Sequence, residues 1–134
     1  MIISHVIPEE ASTLIYEAVV RITRLEGSVA HQEGLMPGGY PSYSLMAFLW
    51  VQSDGCGDSC IFQPDWQHVS SGGPVEDERV MLSVTVDVSQ QPIGRWIMAS
   101  AGLDLYLAAG ASQGITEAAA VGYVESITVR PGSR

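Results

Sequence analysis

The sequence predicts an all-β fold, an antiparallel β-sandwich. Three observations carry that expectation. About seven or eight short runs, rich in β-branched and aromatic residues, are separated by breaks rich in Gly, Pro and Asp. The segment Arg79 to Ser89 alternates without a fault, with Val80, Leu82, Val84, Val86 and Val88 on one side and Arg79, Met81, Ser83, Thr85 and Asp87 on the other. No segment demands a helix. The alternative is an α+β fold with one N-terminal helix at about 9–25. At 134 residues the chain has the size of a single domain, taken as 1–134, and is long enough to bury a core.

The first element is a short β-prone run, Ile2 to Ile7, stopped by Pro8. Ala11 to Leu25 fits two templates. At period two, Leu14, Tyr16, Ala18, Val20 and Ile22 share a face. At period 3.6, Ala11, Leu14, Ile15, Ala18, Val19 and Ile22 form a stripe. Its many β-branched residues favour the strand. Residues 26–42 read as a long loop punctuated by Gly34, Pro37, Gly38, Gly39 and Pro41. Tyr43 to Gln52 is nearly all apolar and reads as a strand buried on both faces.

Ser53 to Ser59 is a turn, and Ile61-Phe62 and Trp66 to Ser70 are short strands on either side of Pro64. An acidic loop covers 71–78 and leads into the alternating strand. After the turn at 90–94, Arg95 to Ala99 and Leu103 to Ala108 read as two strands with a bend at Gly102. A small-residue loop over 110–116 precedes the last strand, Ala119 to Arg130.

Composition excludes several chemistries. The chain contains no Lys and no Asn. Schiff-base catalysis and a lysine-bearing phosphate loop are therefore absent. The net charge is −9, and the Arg residues do not cluster in sequence, so nucleic acid is not an expected partner. No run approaches the ~20 apolar residues of a membrane span, and the N-terminus lacks the pattern of a signal peptide. Neither a membrane nor export is expected. Cys56 and Cys60 allow free thiols, a small disulfide loop or half of a metal site.

Asp65, His68 and Ser70 suggest a hydrolytic triad, but 68 and 70 share a strand face that 65 does not join. Asp87 and Asp104 could form a carboxylate pair, yet both are expected to face solvent. No catalytic residue, cofactor or metal site is assigned. Trp50 and Trp66 read as core residues. The candidate contact residues are Leu35, Met36 and Tyr40 in the long loop and Tyr43 at its border, since apolar groups there suit an interface.

Four segments together carry a resemblance. They are Tyr16-Glu-Ala-Val-Val-Arg21, Asp65-Trp-Gln-His-Val-Ser70, Val80-Met-Leu-Ser-Val-Thr-Val-Asp87 and Gly122-Tyr-Val-Glu-Ser-Ile-Thr-Val-Arg-Pro131. In this order they resemble the jelly-roll modules of carbohydrate-binding domains. Glu125-Ser126 departs from the pair of Asp typical there, and with it from the structural calcium. In architecture and size the chain also resembles the jelly-roll cement and decoration proteins of tailed-bacteriophage capsids.

The second resemblance implies a non-enzymatic virion protein, assembled in the host cytoplasm. It would contact the major capsid protein or another virion protein and form a homo-oligomer, with a trimer favoured. The first implies a glycan-binding module. A small cytoplasmic inhibitor or immunity protein is a further alternative.

Overall fold

The computed structural model describes residues 1–8, 12–31, 42–53, 62–70, 75–91, 94–108 and 114–132. Seven strands form two antiparallel sheets. They are β1 (Ile2–Val6), β2 (Thr13–His31), β3 (Ser42–Ser53), β4 (Phe62–Ser70), β5 (Glu78–Asp87), β6 (Trp96–Ala108) and β7 (Gly114–Pro131). One sheet has the order β1-β6-β3-β4 and the other β5-β2-β7. The pairings of β2 with β7 and of β3 with β6 are nested, and they fall in opposite sheets. This is the antiparallel β-sandwich expected from the sequence, and the N-terminal helix is not needed.

The core is the space between the two inner faces. From β2 it receives Leu14, Tyr16, Ala18, Val20 and Ile22, the set picked out by period two, and each is at most 1% exposed. From β5 it receives Val80, Leu82, Val84 and Val86, and Val88 follows just past the end of that strand. Leu45, Ala47, Leu49 and Val51 of β3 and Ile97, Ala99 and Ala101 of β6 face them. Burying one Val or Leu stabilises the fold by roughly 1.5–3 kcal/mol relative to leaving it exposed.

Several element boundaries differ from those read in the sequence. β2 runs on to His31, so 26–31 is strand and not loop. A register shift between Ile22 and Arg24 explains the error. Thr23 is an extra residue there, and the bulge moves the buried position from 24 to Leu25. β3 is not buried on both faces: Tyr43, Leu45, Ala47, Leu49 and Val51 are buried, while Ser44, Met46, Phe48, Trp50 and Gln52 are partly exposed. The short strands flanking Pro64 are one strand, β4, which tolerates a proline because it is a sheet edge.

The segments around Gly102 are likewise one strand, β6. Gly102 gives room rather than a bend, since a Cβ there would lie 2.9 Å from the Phe48 ring. β7 begins at Gly114, inside the stretch read as a loop. Val75, in the predicted acidic loop, exchanges two backbone hydrogen bonds with Leu25, at 2.8 and 3.2 Å.

Candidate functional site: the aromatic outer face of the four-stranded sheet

Alternation places a second set of side chains on the outer face of β1-β6-β3-β4. The register gives the rows of this surface. Ile2, Ser100, Trp50 and Pro64 lie side by side, and Ser4, Met98, Gln52 and Phe62 form the next row. Beyond them Val6 pairs with Trp96. In the other direction come Gly102, Phe48 and Trp66, then Asp104, Met46 and His68, then Tyr106 beside Ser44.

Aromatic rings dominate the surface. Phe48 and Trp66 lie 5.5 Å apart between centroids, and Trp50 and Phe62 6.0 Å, both tilted. These are favourable ring geometries, and they hold the side chains in place without covering them. Phe62 is 58% exposed, Trp66 43%, Trp96 59% and Tyr106 50%. At ~150–250 Å² per ring, these four leave on the order of 400 Å² of aromatic surface in water. Ile2 and Val6 add to it, being 62% and 45% exposed. That reaches the range of the largest apolar patch on a typical monomer, and such patches are often functional. A depression of about 280 Å³, lined by Ser4, Gln52, Trp96, Ile97 and Met98, indents the face. Among the described residues on this face, Asp104 and His68 are the acidic and basic side chains.

The outer face of the other sheet is chemically opposite. Arg21 binds Asp77 through two hydrogen bonds, at 2.9 and 3.0 Å. Glu125 accepts from Arg79 at 2.9 Å and lies 3.5 Å from Arg21. Arg130 donates to Glu17 at 3.1 Å. The hydrogen bond from Arg21 holds the Asp77 carboxyl below its usual range. Such exposed pairs add little stability. They do neutralise one another, and they leave this face wet. The carboxylate of Glu125 is engaged by two guanidinium groups.

Of the predicted contact residues, Tyr43 is among the described ones. Leu35, Met36 and Tyr40 lie outside the described residues, as do Cys56 and Cys60. Tyr43 is buried, 4% exposed, with its ring against Gly27, so it is a core residue and not a contact residue. Trp50 and Trp66 leave the core for the outer face. Asp87 is exposed, with its carboxyl lowered by the Ser89 hydroxyl and amide, and Asp104 is partly exposed.

Asp65 turns away from His68. Its carboxylate accepts the Ser83 amide of β5 at 3.0 Å, and Gln67 donates to the Met81 carbonyl at 2.7 Å. These two side chains close one side of the sandwich, between β4 and β5. Among the described residues no group of three His, Cys, Asp or Glu is placed to hold a metal ion, and no helix is long and apolar enough to cross a membrane.

One signal for the aromatic face was available in the sequence. In β3 the inward positions are aliphatic, Leu45, Ala47, Leu49 and Val51, whereas Met46, Phe48 and Trp50 alternate with them. Hydropathy hides that pattern because both sets are apolar. Comparison with family models, with curated proteins and with solved structures found no significant match.

Proposed function

We propose that this chain is a non-enzymatic structural protein that seats the aromatic face of its four-stranded sheet on another protein. The observation that supports it is the concentration of Trp, Phe, Tyr and Met side chains on one sheet face, with the described ion pairs on the other. Interface cores are enriched in these residue types and depleted in charge. In its most specific form the reading is a capsid cement or decoration subunit. Its partners would be the major capsid protein and further copies of itself. The sandwich architecture and the size of the chain support that form.

A second reading is a carbohydrate-binding module. Trp66 and Phe62 are rings held on a flat sheet face, with Gln52, Ser4 and Asp104 as polar neighbours. Such rings can stack on a sugar. The methionine and aliphatic content of the face favours a protein partner.

The test is sedimentation velocity on the purified chain, alone and mixed with capsid shells, beside the Phe62→Ser/Trp66→Ser variant. Self-association or co-sedimentation that the double variant loses, with its circular dichroism unchanged, supports the first reading. A chain that stays monomeric, ignores shells and binds an arrayed glycan through Trp66 supports the second.

A further inference from the structure

The two sides of the sandwich are closed differently. On one side Asp65 and Gln67 bridge β4 to the backbone of β5. On the other side β1 covers part of β6. Its ladder pairs Val6 with Trp96 through Ile2 with Ser100, and it ends where the Ala101 amide donates to the Met1 carbonyl at 3.0 Å. Among the described residues, β6 from Gly102 to Ala108 pairs along its β3 side alone, and β7 pairs along its β2 side alone. Between these two edges lies a crevice of about 410 Å³, with Leu45, Leu103, Leu105, Ala120, Tyr123 and Val124 in its walls.

We propose that this side is an acceptor site for an extended segment of a partner protein, which adds to β6 antiparallel and in line with β1. Three features fix the occupant. An unpaired strand edge offers alternating amides and carbonyls that another strand satisfies. The β1 ladder sets the direction and register in which pairing continues. The size also fits. Residues 102–108 span roughly 20 Å of strand, over which an added strand turns every second side chain inward. The crevice is nearly three times the ~150 Å³ cavity that admits benzene, so it takes two or three medium apolar side chains. The occupant is thus a strand with an apolar residue at every second position. With a net charge of −9 on the acceptor, basic residues at its ends would assist its approach.

The test fuses a seven-residue segment alternating threonine and valine directly ahead of Met1, so that it continues along β6. Hydrogen exchange is then read at residues 102–108. Alternate amides should exchange at least tenfold more slowly than in the unextended chain, and a central proline in the segment should abolish the effect. A free acetylated peptide of the same sequence with arginine ends, at millimolar concentration, should give the same pattern. Ala120→Phe, which fills the crevice, should remove it. The proposal is overturned if the fused segment gives no protection, or if the free peptide gives none. It is also overturned if a small apolar dye fills the crevice while neither segment protects β6, which would make this a small-molecule pocket.

Discussion

Tyr16 shows how a single residue ties two elements together. Its side chain is fully buried on β2, yet its hydroxyl reaches His5 of β1 at 2.7 Å. The other His5 nitrogen lies 3.0 Å from the Val6 carbonyl. A carbonyl can only accept, so Nδ1 donates to it, and in the neutral imidazole Nε2 then accepts from the phenol. Burial pushes the Tyr16 phenol well above its ordinary value of 10.0. The sign follows from linkage. The unfolded chain releases this proton near the ordinary value while the folded chain retains it, so the contribution is complete below pH 10 and is lost as pH rises above it. Tyr16→Phe keeps the packing and removes the hydrogen bond. It should lower stability by about 0.5–1.5 kcal/mol at neutral pH in urea unfolding, and its alkaline loss of stability should be shallower than that of the parent chain.

At the scale of the element, legibility depended on whether inside and outside differ in polarity. β5 was plain because valine and leucine alternate with Arg79, Ser83, Thr85 and Asp87. β2 was legible up to Ile22 and then lost, because the bulge at Thr23 changes the phase of a period-two pattern. β3 and the aromatic face were missed because both of its sides are apolar. The bridge from β4 to β5 could not be read at all. Asp65 and Gln67 meet Ser83 and Met81 across the gap between sheets, a contact that strand periodicity does not encode. That bridge predicts a local effect. Asp65→Ala/Gln67→Ala should raise the exchange rate of the Ser83 amide more than that of the buried amides of β2. The global cost should be on the order of 1–3 kcal/mol for two hydrogen bonds. Equal acceleration in β2 and β5 would mean that the pair has no particular role at the β5 edge.

For the whole molecule, the two outer faces separate the forces that act on it. The aromatic face stores apolar surface that water disfavours, and the face of β5-β2-β7 carries the described ion pairs. The remaining charge is strongly unbalanced, with 15 acidic against 6 basic side chains. That imbalance keeps free chains apart, so association through the aromatic face should depend on salt. Raising sodium chloride from 20 to 500 mM should strengthen any self-association, because screening removes like-charge repulsion and leaves apolar contact intact. If the contact were carried by ion pairs, the same change would weaken it. Comparing sedimentation at the two salt concentrations separates these cases.

Acid should act on the fold through a few carboxylates. Asp77 is held below its ordinary value of 3.8 by Arg21, and Asp87 by the hydroxyl and amide of Ser89. A lowered carboxyl stabilises the fold above its ordinary value, and the contribution is lost as pH falls through the folded-state value. Mild acidification lowers the magnitude of the net charge of −9 and so relieves the chain's self-repulsion. The melting temperature should therefore hold or rise on mild acidification and fall below pH 3.8. Asp77→Asn removes the charge that Arg21 faces, so its acid limb should be shallower than that of the parent chain. Asp87 would keep its contacts with Ser89 in that variant, so part of the limb should survive. An acid limb in Asp77→Asn as steep as in the parent would show that the Arg21 pair contributes nothing to the pH dependence.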